Sequence, residues 1–281
     1  MELASERWRP WPGSSAPSRT LITSRGQVLL ALVVGCLLAG PSQAQQPAPT
    51  GQEAAQAVDN GTDPTKFSKV AEAKYEYLDL RDGFSSGTLR LSYTHPLGEK
   101  RDYSLRLRVP VTSVDVLGNE DFELGDVSVQ LAHVFGLTKE HGFVVQGELL
   151  FNTAQRPELG SGKNAFKGTL IYARFLEDGS IFAPAFVQNN SFSGDESRPD
   201  INFTTLDFYY VPKFADARNL MTFDPALNFD WENDKRFFSL QVTAGRVIGK
   251  AFGGNAILFM KPSVFVGSDR PGSWGLEVGY K

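Results

Sequence analysis

The feature that most constrains this chain is an alternation of apolar and polar residues, with a period of two, from residue 70 to the C-terminus. Successive side chains of a strand point to opposite faces, so this period indicates strands. In one run, Leu105 and Leu107 alternate with Arg106 and Arg108. The pattern predicts twelve strands, near 70–80, 87–97, 102–111, 125–136, 142–152, 165–176, 180–190, 201–211, 219–231, 236–247, 254–266 and 272–281.

The length of these runs separates a membrane fold from a soluble one. Each run has about ten residues, and a tilted strand needs roughly 9–11 residues to cross a bilayer, whereas strands of soluble proteins average about five or six. An open sheet would leave unpaired backbone groups in lipid, so the strands must close on themselves. The predicted fold class is therefore all-β, with a single antiparallel transmembrane β-barrel of about twelve strands. The even number puts both termini on one side.

A soluble β-sandwich or lipocalin-like barrel would show the same alternation with its apolar face turned inward. The polar face of this chain carries Gly, Ser, Thr and Gln among its charges, which is typical of a lumen wall. Together with strand length, this favours the membrane barrel. The runs at 165–176, 180–190 and 254–266 do not alternate cleanly, so the sequence assigns no faces to them.

The last strand resembles the closing-strand signal of bacterial outer-membrane barrels. Apolar residues at alternate positions oppose small or charged ones up to the end of the chain, which is Lys281 rather than an aromatic residue. The residues that match the signal are Ser273, Gly275, Val278 and Tyr280. The resemblance implies that the barrel-assembly machinery recognises this strand and that outer-membrane lipid surrounds the barrel.

The N-terminus has the anatomy of a secretory signal peptide. The apolar run 28–40 is too short to span a bilayer as a helix, follows Arg19 and Arg25, and precedes the small-residue motif Ser42-Gln43-Ala44. The predicted organisation is a signal peptide at 1–44, a flexible periplasmic leader at 45–66 and the barrel at 67–281. Cys36 also fits a lipoprotein processing box, although the apolar run continues beyond it.

Charge and histidine content restrict the function. The formal net charge is −4 and no run of basic residues occurs, so no nucleic-acid partner is predicted. The three histidines, His95, His133 and His141, fall at the predicted inner ends of strands or in a turn. Barrel enzymes hold their catalytic groups at the outer rim, so we predict no catalytic residue. No spacing indicates a metal site or another cofactor.

The residues with the parity of the inward face are the candidates for a functional lumen. Three arginines on the second and third strands predict a basic ladder, with acids elsewhere around the ring. The lumen candidates are Glu72, Lys74, Glu76, Arg90, Arg106, Arg108, Gln146, Glu148, Asp224, Asp230 and Glu277. Two compatible roles remain: ion pairs that brace the barrel, and a path that orients solutes. Twelve strands imply a backbone diameter of roughly 24 Å, which leaves a narrow opening for small solutes.

Several short motifs resemble a large Gram-negative family of outer-membrane transporters assigned to the meta-cleavage pathway of phenol degradation. The motifs are Gly125-Asp126-Val127-Ser128-Val129, Pro157-Glu158-Leu159-Gly160-Ser161-Gly162-Lys163, Phe182-Ala183-Pro184-Ala185, Asp224-Pro225 and Lys261-Pro262. The resemblance spans about residues 66–281 and implies a twelve-stranded barrel that takes up aromatic or other small apolar compounds. The predicted function is a passive channel for small solutes. The alternatives are a structural or surface-interaction barrel and a barrel-embedded enzyme.

Overall fold

The computed structural model describes residues 60–115 and 121–281. Within these ranges thirteen strands form one antiparallel sheet. The strands are β1 (Val70–Leu80), β2 (Ser85–Leu97), β3 (Tyr103–Val114), β4 (Glu123–Leu124), β5 (Ser128–Phe135), β6 (His141–Leu150), β7 (Lys163–Phe175), β8 (Ile181–Gly194), β9 (Asn202–Val211), β10 (Asn219–Asp230), β11 (Lys235–Ala251), β12 (Gly254–Val266) and β13 (Gly272–Tyr280). The predicted signal peptide and the leader up to residue 59 lie outside the described residues.

The sheet closes into a barrel of twelve long strands. Each long strand pairs with its neighbours along the chain, and β1 pairs with β13 to complete the ring. The two-residue β4 adds only a short ladder to β3, at Val111 and Thr112. The predicted all-β fold of twelve antiparallel strands is therefore confirmed. No helix in the described ranges is long and apolar enough to cross a bilayer.

The two ends of the barrel differ in their connections. The base is the end where β1 begins and β13 ends, and the rim is the opposite end. The longest connection within the described ranges, 151–162, lies at the rim. The rim connection 195–201 and the base connection 212–218 have seven residues each, and the other base connections are shorter. Two single turns of 3-10 helix, Arg81–Gly83 and Pro157–Leu159, also lie at the rim.

The outward face is an apolar surface. Leu91, Leu107 and Leu131 on adjacent strands have exposed fractions of 45–50%, while inward Glu148 and Glu277 are only 2% and 5% exposed. A water-soluble protein does not expose so large a contiguous apolar area, and a bilayer covers it in a transmembrane barrel. The exposed apolar face and the buried polar face therefore identify a membrane barrel rather than a soluble β-sandwich or lipocalin-like barrel.

Aromatic side chains ring the outward face near both ends. At the base the rings of Tyr103 and His133 stack with their centroids 4.0 Å apart, and Phe135 and Phe143 continue the row. At the rim, the Phe229 and Trp231 rings stack in the same way. Such girdles are expected where a barrel meets the lipid headgroups.

The three strands without clean alternation have apolar residues on both faces. In β7, Ala173 points inward and is fully buried, while Leu170 points outward and is 49% exposed. In β8, inward Ala183 follows outward Phe182. In β12, the inward residue Phe259 is buried and its neighbour Met260 is exposed. The period of two disappears from the sequence because the lumen is itself apolar at the base.

Candidate functional site

The most enclosed polar network of the lumen surrounds Glu148 on β6. The register places Glu148 beside Gln130 on β5 and Lys167 on β7. Glu148 forms ion pairs with Arg108 from β3 and with Lys167, and it accepts a 2.6 Å hydrogen bond from the Ser128 hydroxyl. Two cations thus share one carboxylate that is shielded from water.

Amide side chains extend this network across three strands. Arg108 donates a 2.9 Å hydrogen bond to the Gln130 side-chain oxygen, and Gln130 donates in turn to Gln146. Sequence analysis proposed Arg108, Gln146 and Glu148 but missed Gln130 and Lys167. Lys167 lies on a strand whose faces the sequence left unassigned, and only its pairing with Glu148 identifies its direction.

A second network lies at the seam where β1 meets β13. Glu76 and Glu277 are directly paired across this seam, and two adjacent carboxylates repel each other unless a cation separates them. Lys74 neutralises Glu277, with its Nζ 2.8 Å from that carboxylate and 4.0 Å from Glu72. Arg90 on β2 lies 3.7 Å from Glu76. These acids and cations, namely Glu72, Lys74, Glu76, Arg90 and Glu277, therefore form one alternating set of charges.

The predicted basic ladder divides into paired and unpaired members. Arg90 and Arg108 have carboxylate partners, but the partner of Arg108 is Glu148 and not an acid of β1. Arg106 donates a 2.7 Å hydrogen bond to the Thr94 hydroxyl. No carboxylate lies within 4.0 Å of its guanidinium in the described part of the chain. Arg106 is thus the lumen arginine whose charge is not neutralised by direct contact.

The opposite wall of the lumen is acidic. Asp224 on β10 accepts a 3.4 Å hydrogen bond from Thr222, and sequence analysis missed its neighbour Asp207 on β9. The Oδ1 atoms of Asp207 and Asp224 are shielded and have no hydrogen-bond partner among the described atoms. Asp230 lies higher, at the rim, where it accepts hydrogen bonds from Asn233.

Apolar side chains line the lumen at the base and form what we call the apolar ring. Eight consecutive strands, from β5 to β12, each contribute one buried inward residue close to the strand's base end. The members are Val134, Val144, Ala173, Ile181, Val211, Leu220, Val247 and Ile257. On these eight strands the lumen wall therefore changes along the barrel axis, from charged and polar in its upper part to apolar at the base. On the remaining wall, Glu72 and Arg106 lie close to the base ends of β1 and β3.

The rim is organised by Asp126, which precedes β5. Its carboxylate accepts hydrogen bonds from the backbone N–H groups of Thr153, Ala154 and Ser161 and from the Ser161 hydroxyl. These bonds hold the connection 151–162 in place, and Leu159 within it is buried. The motifs around residues 125–129 and 157–163 thus belong to one rim structure.

An open cavity of about 600 Å³ lies beside this structure, lined by Ser161, Arg198, Asp200, Phe203 and Asp230 among others. Arg198 donates to the carbonyl of Gly160 at 3.0 Å. A hydrogen bond from Lys163 lowers the pKa of Asp200 below its usual range. This cavity lies at the rim, between the connections 151–162, 195–201 and 231–234.

At the base, a charged turn connects β9 to β10. The Arg218 guanidinium donates to Asp216, and this bond, a backbone hydrogen bond and the charges of Arg218 and Arg246 together lower the pKa of Asp216 to about 2. Arg246 on β11 also donates a 2.6 Å hydrogen bond to the Asn219 side chain. The turn is therefore tied to the neighbouring strand.

The histidines make local contacts near the base. His95 contacts the Tyr93 hydroxyl at 3.3 Å, His133 contacts the carbonyl of Asp102 at 3.2 Å, and His141 contacts the Thr138 hydroxyl at 3.3 Å. Across residues 60–115 and 121–281, no group of three or more acidic, histidine or cysteine side chains is arranged to hold a metal ion.

The residues of the closing-strand signal are divided between the two faces of β13. Val278 and Tyr280 are exposed on the outward face. Gly275 is inward, where an added Cβ would lie 2.7 Å from the Ser263 hydroxyl, so only glycine fits without a shift. Ser273 is exposed near the rim. The pairing of β13 with β12 extends to Lys281, whose backbone exchanges two hydrogen bonds with Ile257.

No protein-family model matches the chain, and no curated protein matches it in sequence. Solved structures do match its fold. An outer-membrane channel of the COG4313 group from Pseudomonas putida F1 superposes with a TM-score of 0.59 at 13% identity, over 79% of this chain and 98% of that one. The KdgM porin superposes with a TM-score of 0.52 at 11% identity, over 75% and 96%. The shared feature is the barrel.

Proposed function

We propose that this chain is an outer-membrane channel for the passive uptake of small solutes, with aromatic or other small apolar compounds as its cargo. The observation that carries the proposal is a closed twelve-stranded barrel with an apolar outward face and a lumen that is polar above and, on eight of its twelve strands, apolar at the base. The two matching structures, described as a channel and as a porin, support this use of the fold.

The lumen suits an amphipathic small molecule. Arg106 offers a cation to the polar end of a solute, and the apolar ring below it favours the apolar end. The ion pairs around Glu148 and Lys74 brace the wall. In this orientation the base faces the periplasm, and β13 carries the signal for the barrel-assembly machinery.

The proposal can be tested in whole cells by the uptake of N-phenyl-1-naphthylamine. This aromatic probe fluoresces strongly in membrane lipid, so its fluorescence rises once it has passed the outer membrane. Cells that produce the protein should take up the probe faster than cells without it. Thr88→Trp, which fills the lumen, should slow uptake, whereas Leu89→Trp on the outward face of the same strand should not.

The two tryptophan variants also distinguish uptake through the lumen from uptake through a damaged membrane, because only the lumen variant should reduce uptake through the lumen. If both variants and the unaltered chain, all shown to be folded by their heat-modifiable migration in gels, give the same uptake as empty cells, the channel proposal fails. A structural or surface-interaction barrel would then be the better assignment.

A further inference from the structure

A cluster of amide side chains lies among the apolar side chains of the outward face, on β8 and β9. It consists of Gln188, Asn190 and Asn202, and we call it the amide cluster. The register pairs Asn190 with Phe166, which is outward and 49% exposed, and pairs Asn202 with Asn190. Gln188 shares the face of Asn190 because it is two residues away on the same strand. The three amides therefore belong to the membrane-facing wall and not to the lumen.

The amide cluster lies at the rim-side boundary of the apolar band. Asn190 is four residues below the rim end of β8, and Asn202 is the first residue of β9. A tilted strand rises about 2.5 Å per residue, so the cluster lies within roughly 15 Å of the rim. Below it the same strands carry outward Phe186 and Phe208, which are 49% and 40% exposed. In an outer-membrane barrel with periplasmic termini, this level is where the headgroups of the outer leaflet meet the acyl chains.

Hydrogen bonds within the cluster occupy its acceptors but not all of its donors. Gln188 donates to the side-chain oxygens of Asn190 and Asn202 at 3.0 and 3.1 Å, and Asn190 donates to the same Asn202 oxygen at 3.2 Å. The Thr204 hydroxyl donates to Gln188, and the Trp231 indole donates to Thr204 at 2.8 Å.

The donor left over is the side-chain nitrogen of Asn202, which donates to no atom of the described residues. Its two N–H groups lie at the edge of the lipid, where a donor costs free energy unless an acceptor meets it. We therefore expect the acceptor to come from a molecule outside the chain.

Two aromatic rings and a cation continue this face towards β11. The rings of Phe229 and Trp231 on β10 stack with their centroids 5.6 Å apart, and Trp231 is 60% exposed. Arg236 on β11 is paired with outward Phe229 and is exposed near the rim. Its guanidinium forms no ion pair with any described residue. The three strand steps from β8 to β11 span about 14 Å, so one patch combines amide donors, aromatic rings and a cation.

These three features match the polar part of a phosphorylated glycolipid. Phosphate groups bind arginine, the flat faces of sugars pack on aromatic rings, and the carbonyl groups that join acyl chains to the sugars accept hydrogen bonds from amides. A phospholipid with a single phosphate offers the same groups, but its headgroup is too small to reach both Arg236 and Asn202.

We propose that the patch formed by Gln188, Asn190, Asn202, Trp231 and Arg236 binds lipid A, the phosphorylated disaccharide lipid that anchors lipopolysaccharide in the outer leaflet. A phosphate meets Arg236, and the carbonyl groups at the top of the acyl chains accept hydrogen bonds from Asn202. The inference goes beyond the channel function and does not depend on it. It assigns to one side of the barrel wall the contact with a specific lipid.

Binding of defined lipids to the purified protein tests the site. Native mass spectrometry of the barrel in detergent, titrated with lipid A or with phosphatidylglycerol, should give a dissociation constant about tenfold lower for lipid A. Asn190→Leu together with Asn202→Leu should weaken the binding of lipid A about tenfold, because the amide donors are lost. Leucine suits a lipid-facing wall, so this variant should fold. Arg236→Gln should abolish the preference for lipid A over its dephosphorylated form, whereas the leucine variant should keep that preference.

Two changes outside the patch are the matched controls. Gln241→Leu on the inward face of β11 and Lys250→Gln at the base should leave the binding of lipid A unchanged. Heat-modifiable migration checks that each variant is folded.

The lipid site is refuted if folded patch variants bind lipid A as tightly as the unaltered protein, or if lipid A and phosphatidylglycerol bind equally. A dimer in detergent that the leucine variant dissociates would also overturn it, since the patch would then be a contact between two copies of the chain. Uptake of the aromatic probe is measured separately, so failure of the lipid site leaves the channel proposal standing.

Discussion

Glu148 illustrates how single residues hold this lumen together. It is 2% exposed, yet it carries a charge because it pairs with Arg108 from β3 and Lys167 from β7, and because the Ser128 hydroxyl donates a hydrogen bond to it. A buried charge is tolerated only when it is paired and hydrogen-bonded. The two cations are less enclosed, with side chains 22% and 34% exposed.

Glu148→Gln should therefore destabilise the barrel by about 1–3 kcal/mol, less than for a fully buried pair, because water in the lumen can solvate the two cations left behind. The midpoint of heat-modifiable migration, or urea unfolding in lipid vesicles, measures the change. Glu99→Gln in an exposed base turn is the matched control and should leave the midpoint unchanged. Equal midpoints for both variants would show that the network does not brace the wall.

At the scale of elements, the seam between β1 and β13 is the step that closes the ring. The seam pairs Glu76 with Glu277, and the cost of this pairing is offset by Lys74 and Arg90. Hydrogen bonds alone set the register only weakly, whereas this alternating set of charges disfavours a shifted pairing.

Lys74→Met should weaken the seam, because Glu277, with a side chain only 6% exposed, would lose its cation. We expect a loss of about 1–3 kcal/mol and slower conversion to the heat-modifiable folded form during refolding into vesicles. Lys69→Met, at an exposed position just before β1, is the control. A Lys74→Met protein that folds at the unaltered rate would show that the ion pair has no part in closure.

At the scale of the whole molecule, the strand number and the outward apolar face determine how the barrel stands in the membrane. Both termini of the barrel are at the base, together with the charged turn at Asp216. The longest described connection, 151–162, and the open cavity are at the rim. An outer-membrane barrel with periplasmic termini would place that cavity outside the cell.

The orientation predicts which positions can be labelled from outside. In a Cys36→Ala background, Glu196→Cys at the rim should react with a membrane-impermeant maleimide in intact cells. Glu177→Cys, in a base turn, should react only after the outer membrane is permeabilised; both residues are exposed. The reverse pattern would mean that the barrel is inverted, with its base outside the cell.

What the sequence determined by itself was the number of strands and the direction of the side chains wherever one face is apolar and the other polar. The sequence alone assigned the faces of Leu89, Leu91, Arg106 and Arg108. A period of two is visible in a sequence only when one face of the strand meets an apolar environment and the other a polar one. For the same reason the sequence predicted a barrel with a polar lumen, but it could not assign Ala173, Ile181 or Ile257.

Tertiary structure decided the features that depend on closure of the ring. Arg108 meets Glu148 across β5, and Lys167 joins them, because the strand register brings three distant segments to one level. The apolar ring exists only once eight strands stand side by side. Residues 60–66 belong to the polar leader in sequence, and the structure places them against the base of the barrel, where Tyr209 donates to the Thr62 carbonyl and Asn60 to the Asn219 carbonyl.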